Sequence, residues 1–166
     1  MADARIKPAA SPEDIAHVQQ LWREYWESFG LPLEFQGFDE ELEGLPGIYA
    51  QDGGCLLLAI ADNEPAGTIA LRRLDRMSGE LKRLYVAPRF RGRRFGRQLL
   101  EAVIGRAKVI QYDCLYADTL PIMTEALGLY ERAGFERIGA YSNTPNPGAI
   151  YLKLRLVEGR GTPDKA

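Results

Sequence analysis

A stretch rich in arginine and glycine, RFRGRRFGRQLL at residues 89–100, has the composition of an anion-binding site. Its five arginines and two glycines lead into apolar residues at helical spacing, beginning at Phe95 and Leu99. This pattern predicts a loop entering the N-terminus of a helix, where unpaired amides and the helix dipole favour an anion. Gly92 and Gly96 would let a pyrophosphate approach the backbone closely, and the arginines would add charge-assisted hydrogen bonds.

Charge is divided unevenly along a chain whose net charge is only −2. Residues 1–54 are strongly acidic, whereas residues 82–97 contain Lys82, Arg83 and the five loop arginines with no acid. Such a division favours a polyanion at one place and a cation at another. A solvated arginine-rich face or a short nucleic-acid contact would have the same composition. The absence of a GK[ST] ending excludes a P-loop, and the glycines do not have the Rossmann spacing.

The elements that would position this loop alternate between strands and helices. A short strand is followed by a helix from SPED, with Ser11 and Asp14 as a capping box and an aromatic stripe that includes Trp22 and Tyr25. Three strands follow, the first two joined by the turn DNEP, and then the helix that begins at the loop. A buried strand, a helix over PIMTEALGLYERAGF and two closing strands complete the chain. This order predicts an α+β domain built on one mixed sheet.

Length and composition allow one domain with a real core, at 166 residues and 46% hydrophobic residues. The N-terminus lacks the apolar stretch of a secretory signal, and the run CLLLAIA is too short to cross a bilayer. We therefore expect a cytoplasmic protein without a membrane partner. Cys55 and Cys114 lie in apolar segments and are predicted to be buried thiols. A single histidine gives no basis for a metal site.

Two segments carry a resemblance to a known family. LYVAPRFRGRRFGRQLLEAV resembles the acetyl-CoA-binding motif of the GNAT superfamily of N-acetyltransferases, and TEALGLYERAGFERIGAY is similar to the closing helix and strand of that family. The element order matches from about residue 4 to 156. The resemblance implies a three-layer α/β/α fold, with a mixed, mostly antiparallel sheet of about six to seven strands flanked by helices. It implies one domain over residues 1–157 and a mobile tail over 158–166.

The same resemblance implies which residues hold acetyl-CoA. Arg91 matches the leading arginine of the motif and Gly96 its last glycine, while Arg94 occupies the place of the middle glycine. That departure requires either a negative φ at Arg94 or tolerated strain. A second departure is Met123, where many members have an asparagine. The implied cofactor-binding residues are Leu84, Tyr85 and Val86, pairing with the pantetheine arm, and Arg91, Gly92, Arg93, Arg94, Phe95, Gly96 and Arg97 around the pyrophosphate.

Acetyl transfer to an amine needs a base and an acid. An amine of pKa about 10.4 is protonated at neutral pH, and freeing its lone pair costs about 4 to 5 kcal/mol. Glu80 stands at the spacing at which histone acetyltransferases of the superfamily place a general base; the alternative is an exposed charge at a strand start. Tyr130 occupies the place of the tyrosine that protonates the leaving thiolate; the alternative is a core aromatic residue. Direct transfer is favoured because Cys114 has no base beside it.

The acceptor pocket is predicted less directly. By analogy with the fold, the candidates are Glu34, Phe35, Tyr141, Asn143 and Asn146, with the acidic N-terminal third helping to bind a cationic amine. The sequence therefore predicts an acetyl-CoA-dependent N-acetyltransferase acting on a primary amine of a small molecule or peptide. A non-catalytic acetyl-CoA-binding protein of the same fold is the alternative. A homodimer is common in the superfamily, and no nucleic-acid partner is expected.

Overall fold

A computed structural model describes residues 4–32, 37–141 and 148–157. The predicted tail, residues 158–166, lies outside the described residues. The strands are β1 Arg5–Pro8, β2 Cys55–Ala61, β3 Glu64–Asp75, β4 Ser78–Val86, β5 Cys114–Thr119, β6 Glu136–Ile138 and β7 Ile150–Arg155. The helices are α1 Pro12–Ser28, α2 Phe38–Glu43, α3 Phe95–Ile110 and α4 Thr124–Arg132, with short 3₁₀ turns at Gly47–Ala50 and Pro88–Phe90. Within the described ranges, no helix has the length and apolar character needed to cross a membrane.

The seven strands form one sheet in the order β1-β2-β3-β4-β5-β7-β6. Only β4 and β5 run parallel, and every other neighbouring pair is antiparallel. The predicted mixed, mostly antiparallel sheet flanked by helices is confirmed. Helix α3 connects the two parallel strands. Its N-terminus therefore lies just beyond the end of β4, on the side that faces β5.

Helix α1 begins as its sequence predicts. The Ser11 hydroxyl accepts from the Asp14 amide at 3.0 Å, and the Asp14 carboxylate accepts from the Ser11 amide at 3.2 Å. Asp14 also forms an ion pair with Lys7 of β1 at 2.9 Å, and these contacts lower its pKa to about 2. The capping box therefore also ties the helix to the first strand.

The β2–β3 hairpin confirms the turn predicted at DNEP. Asp62 and Asn63 both have positive φ, 53° and 62°, as a two-residue type I′ turn requires. Consecutive residues in the middle of β2 and of β3 are buried, so both faces of the sheet must be covered by other elements. Helices α1 and α3 both pack on strands β2 to β4 and provide that cover. The buried face of α3 includes Phe95, Leu99, Leu100, Val103 and Ala107, as the sequence predicts.

Candidate active site

The parallel strands β4 and β5 pair along only part of their length. Ser78–Leu81 lies opposite Cys114–Ala117, and no further pairing between the two strands occurs among the described residues. Just beyond, Arg83 has φ +60°, and the register of β4 against β3 shifts beside it. A bulge of this kind bends a strand. The two strands therefore diverge after Leu81 and Ala117 and leave a gap.

The backbone of Val86 faces this gap. The Ala87 amide donates to the Ala66 carbonyl of β3 at 2.9 Å, and the main-chain groups of neighbouring strand residues point to opposite sides. The Val86 carbonyl therefore points away from β3, and it accepts from Arg91 Nε at 3.1 Å. An extended ligand in the gap would meet an unpaired strand edge. This is the place that the GNAT resemblance assigns to the pantetheine arm.

The loop before α3 forms one wall of a cavity of about 590 Å³. Gly92 adopts φ +82°, and the first turn of α3 contains no acidic residue, so the positive end of the helix dipole is not offset. The amides of Phe95, Gly96 and Arg97 open the helix and have no intrahelical acceptor. Gly96 also lets α4 approach, because an added Cβ would lie 2.7 Å from Leu129 Cδ1. This arrangement fits a pyrophosphate.

The sequence left open whether Arg94 has a negative φ or tolerates strain, and the structure shows the second. It adopts the left-handed conformation, with φ +64° and ψ +20°, at the N-cap of α3. The loop therefore keeps the backbone path that a glycine would give it. A non-glycine residue pays about 1 kcal/mol for this conformation.

Most of the loop arginines have acidic partners. The ion pairs are Arg89 with Glu24 and with Glu64, both at 3.6 Å, Arg91 with Glu125 at 3.0 Å, Arg93 with Asp62 at 2.9 Å and Arg97 with Glu101 at 2.9 Å. Arg94 and Arg132 also line the cavity, and neither forms an ion pair with any residue that the structure describes. Since exposed ion pairs contribute little, an anionic ligand can replace these partners at small cost.

The cavity continues inward as a groove. A second cavity of about 260 Å³ shares Val86, Arg91, Thr124, Glu125 and Leu129 with the first. It lies between the end of β4, the C-terminal end of α1 and the start of α4. A third, of about 40 Å³, shares Tyr25 and Met123 with the second. The three cavities therefore lie in a row from the N-terminus of α3, along the free edge of β4, to the point where β4 and β5 diverge, with the Tyr25–Met123 contact between the second and the third. This row of cavities forms the groove.

Glu80 lines none of the three cavities, but it contacts Lys82 of the innermost one and belongs to a cluster of charges. Only 3% of its side chain is exposed, so it is not the exposed charge at a strand start that the sequence also allowed. Glu80 Oε1 pairs with Arg72 Nε at 2.7 Å and with Lys82 Nζ at 3.4 Å, and Oε2 accepts from the Tyr141 hydroxyl at 2.5 Å. Lys82 Nζ in turn lies 3.1 Å from Asp118 Oδ1.

Lys82 and Arg83 do not belong with the loop arginines in space, contrary to the prediction from sequence. The sequence placed both in one basic run with the loop arginines, but they line the 40 Å³ inner cavity. Arg83 Nη2 pairs with Glu41 Oε2 at 2.7 Å, and its guanidinium lies against the rings of Trp26 and Phe38. These two cations therefore belong to the inner end of the groove, because the bulge in β4 directs them there.

Tyr130 is almost completely buried on α4, with its ring against Phe135. It does not line any of the three cavities. Burial raises the pKa of Tyr130, and the nearby Tyr25, Asp118 and Glu80 raise it further. These influences place the tyrosine beside the charged inner end of the groove, with its hydroxyl protonated at neutral pH.

Of the predicted acceptor residues, only Tyr141 can be located. Glu34, Phe35, Asn143 and Asn146 lie outside the described residues. The Tyr141 ring packs on Tyr116 at 4.8 Å between centroids, and its hydroxyl donates to Glu80. Burial raises the pKa of Tyr141, and the Glu80 carboxylate raises it further. Tyr141 therefore joins the strand after α4 to the Glu80 cluster.

The acidic N-terminal third does not line the groove as predicted. No acid from residues 4–32 or 37–54 lines any of the three cavities, whose carboxylates come from Asp118 and Glu125. Glu41 and Asp14 are instead committed to Arg83 and Lys7. The expectation fails for the described residues because those acids serve to hold neighbouring elements together.

Several groove residues were missed by the sequence reasoning. They are Arg72, Asp118, Thr124, Glu125 and Arg132. Asp118 could have been suspected from the sequence, because it is a charged residue near the end of the otherwise apolar strand β5, Cys114–Thr119. Met123, predicted only as a departure, lines the inner two cavities and accepts from the Tyr25 hydroxyl at 3.2 Å.

The backbone of Arg94 gives a prediction that separates strain from charge. Arg94→Gly should be about 1 kcal/mol more stable than Arg94→Ala, because only glycine relieves the positive φ without cost. Both variants should raise the acetyl-CoA KM by about fivefold, since each removes one exposed cation from the cavity. Thermal unfolding and steady-state kinetics measure the two effects. Equal stability of the two variants would contradict the left-handed conformation.

Comparison with known proteins agrees with this geometry. The acetyltransferase (GNAT) family model matches residues 18–135. An N-acetyltransferase of Schizosaccharomyces pombe is 31% identical, over 91% of this chain and 94% of its own. The fold is also that of a GNAT acetyltransferase from Staphylococcus aureus Mu50, with TM-score 0.81, 24% identity and coverage of 93% of this chain and 100% of that one. YncA from Salmonella typhimurium, solved with its cofactor acetyl-CoA, has TM-score 0.74 at 17% identity, covering 99% and 100% of the two chains. The chain therefore belongs to the GNAT family of acetyltransferases.

Proposed function

We propose that this protein transfers the acetyl group of acetyl-CoA directly to a primary amine of a small molecule or peptide. One observation carries the proposal. Three neighbouring cavities lie in a row from a helix N-terminus suited to an anion to Lys82 and Asp118, at the point where β4 and β5 diverge. This is the order in which a pyrophosphate, a pantetheine arm and a thioester would occur along the cofactor.

The residues present fit acetyl-CoA along the whole groove. The amides of Phe95 to Arg97, with Arg94 and Arg132, would hold the phosphates. The Val86 main chain would pair with the pantetheine amides as an added strand does. The thioester would then reach the inner cavity, beside Lys82 and Asp118. We propose the same role for Leu84 and Tyr85, which border the middle cavity.

The chemical step needs proton transfers at both the nitrogen and the sulfur. The amine nitrogen attacks the thioester carbonyl carbon, so that a C–N bond forms and the C–S bond breaks. We propose that Glu80 takes the proton lost by the ammonium, directly or through water, and that Tyr130 gives its hydroxyl proton to the departing thiolate. The second proton, which the nitrogen loses as the amide forms, would restore the Tyr130 hydroxyl through water. The tyrosine holds a proton to give, because burial raises its pKa.

A covalent acetyl-cysteine route has little support. Burial raises the pKa of the Cys114 thiol, which keeps it protonated and a poor nucleophile. Cys55 is buried, and burial raises its pKa as well. Direct transfer to the amine is therefore the route that we propose.

Two measurements on the purified protein test the function. Acetyl-CoA at about 100 times its Kd should add about 2.7 kcal/mol of stability and raise the Tm by several degrees. Thiol release from acetyl-CoA should then depend on an added amine from a panel of amino acids, arylalkylamines, polyamines and peptides. A Tm shift without amine-dependent thiol release would favour the non-catalytic alternative. The absence of a Tm shift would show that acetyl-CoA does not bind in the groove. A homodimer stays a prediction, which light scattering after size exclusion would check.

A further inference from the structure

The inner cavity carries charges of both signs on its walls. It is lined by Lys82 and Arg83 and by one carboxylate, Asp118, together with Tyr25, Trp26 and Thr119. The two cations also pair with Glu80 and Glu41, which do not line the cavity. Its volume of about 40 Å³ holds a small polar group or a few waters. A site for a purely cationic amine would have no need of the two cations.

Arg83 has a hydrogen-bond donor to spare. Only 11% of its side chain is exposed, and its Nη2 is committed to Glu41. Among the described residues, no acceptor lies within reach of the buried Arg83 Nε. A buried donor without a partner costs about 1 to 3 kcal/mol, more when it is charged. Nε itself is closed off, so a ligand can reach only the part of the guanidinium that makes up the exposed 11% of the side chain.

Other contacts hold Arg83 in place before any ligand arrives. The guanidinium lies 4.9 Å from the centroid of the Trp26 ring and 5.1 Å from that of Phe38. Its backbone has φ +60°, and strained residues of this kind cluster at ligand-binding sites. A guanidinium fixed against aromatic rings loses little entropy when it binds a planar anion such as a carboxylate.

Lys82 offers a second donor beside it. Its Nζ lies 3.1 Å from Asp118 Oδ1 and 3.4 Å from Glu80 Oε1, and 26% of the side chain is exposed. An ammonium has three N–H donors, so one remains available. The Asp118 carboxylate, 18% exposed, is the group on this wall that can accept from an amine.

We propose that the acceptor is a zwitterion, an amine that also bears a carboxylate, as an amino acid does. The carboxylate would accept from the exposed part of the Arg83 guanidinium and from Lys82 Nζ, while the ammonium would face Asp118 before it loses its proton. This inference rests on the proposed acetyltransferase function and names its substrate class. It replaces the cationic amine that the acidic N-terminal third suggested.

Matched pairs of substrates test the proposal on the intact protein. Each amino acid is compared with its carboxamide and its decarboxylated amine, with thiol release giving kcat/KM for each. We expect the carboxylate form to be preferred by at least tenfold for every side chain that is accepted. Equal rates, or preference for the amide or the plain amine, would overturn the zwitterion while leaving the acetyltransferase intact. Acetyl-CoA binding with no transfer to any amine would overturn both.

Two variants test whether Lys82 and Arg83 bind the carboxylate of the acceptor. Lys82→Met and Arg83→Lys should each lower kcat/KM for the carboxylate form by about tenfold and change that for the amide much less, so that the preference falls. Arg83→Lys keeps the charge facing Glu41 but removes the guanidinium. If it fails to fold, Lys82→Met and the substrate pairs still decide. Lys108→Met, on the exposed end of α3, is the control. A loss that is equal for both forms would show a structural role only and overturn the assignment.

Discussion

Tyr130→Phe should lower kcat by about 100-fold while leaving the acetyl-CoA KM unchanged. General acid catalysis contributes about 10²- to 10⁴-fold, and the leaving thiolate needs a proton that the phenyl ring cannot supply. The hydroxyl is protonated at every pH at which the protein is folded, because burial raises its pKa. The loss should therefore be the same from pH 6 to 9. Single-turnover and steady-state rates measure it.

A second buried tyrosine gives a matched control for Tyr130. Tyr112 donates its hydroxyl to the Gly53 carbonyl at 2.6 Å, so its hydroxyl has a structural partner away from the groove. Tyr112→Phe should lower stability by about 1 kcal/mol without a change in kcat. Full kcat in Tyr130→Phe, with the same Tm shift on adding acetyl-CoA as the parent protein, would remove Tyr130 from the acid role.

Glu80→Gln should lower kcat/KM for the amine by about 100-fold at pH 7, and by less as the pH rises. The pH dependence has a specific cause. Below the pKa of the amine, about 10, the acceptor must give up a proton, whereas above it the free amine needs no base. The ratio of parent to variant rates should therefore shrink toward the pKa of the amine. A rate profile from pH 6.5 to 10 measures it.

The variant Arg72→Gln distinguishes the loss of a general base from the loss of an ion pair to Glu80. It breaks the 2.7 Å contact between Arg72 and Glu80 but leaves the carboxylate in place. Any loss of activity that it causes should be independent of pH. If the Glu80→Gln loss is also independent of pH, Glu80 acts by holding Lys82 and Tyr141, and the proton leaves by another path. Thermal unfolding of both variants shows how much of either loss is loss of fold.

The N-terminus of α3 shows what could be predicted locally. Glycines and arginines before an apolar helical repeat already predicted the anion site, because unpaired amides and the helix dipole follow from helix geometry alone. Arg94 was the one undecided point. The sequence could not choose its φ, since a left-handed arginine is tolerated only when the surrounding loop and helix impose it.

The inner end of the groove could not be predicted in this way. Glu80 meets Arg72 because the β3–β4 register sets them directly opposite each other. Lys82 lies two residues from Glu80 on β4, so strand geometry alone puts both side chains on one face. Lys82 reaches Asp118 of β5 because β4 and β5 pair in parallel. The contacts with Arg72 and Asp118 therefore do not follow from spacing along the chain.

The sequence alone determined the family and the order of the elements and predicted a place for the cofactor phosphates, because each of these follows from local patterns of a few residues. Tertiary structure alone decided that Arg83 turns inward to Glu41 and that the early acids leave the groove. The physical reason is the bulge at Arg83. One extra residue in a strand redirects every side chain around it, and only the pairing of distant strands fixes where that residue lies.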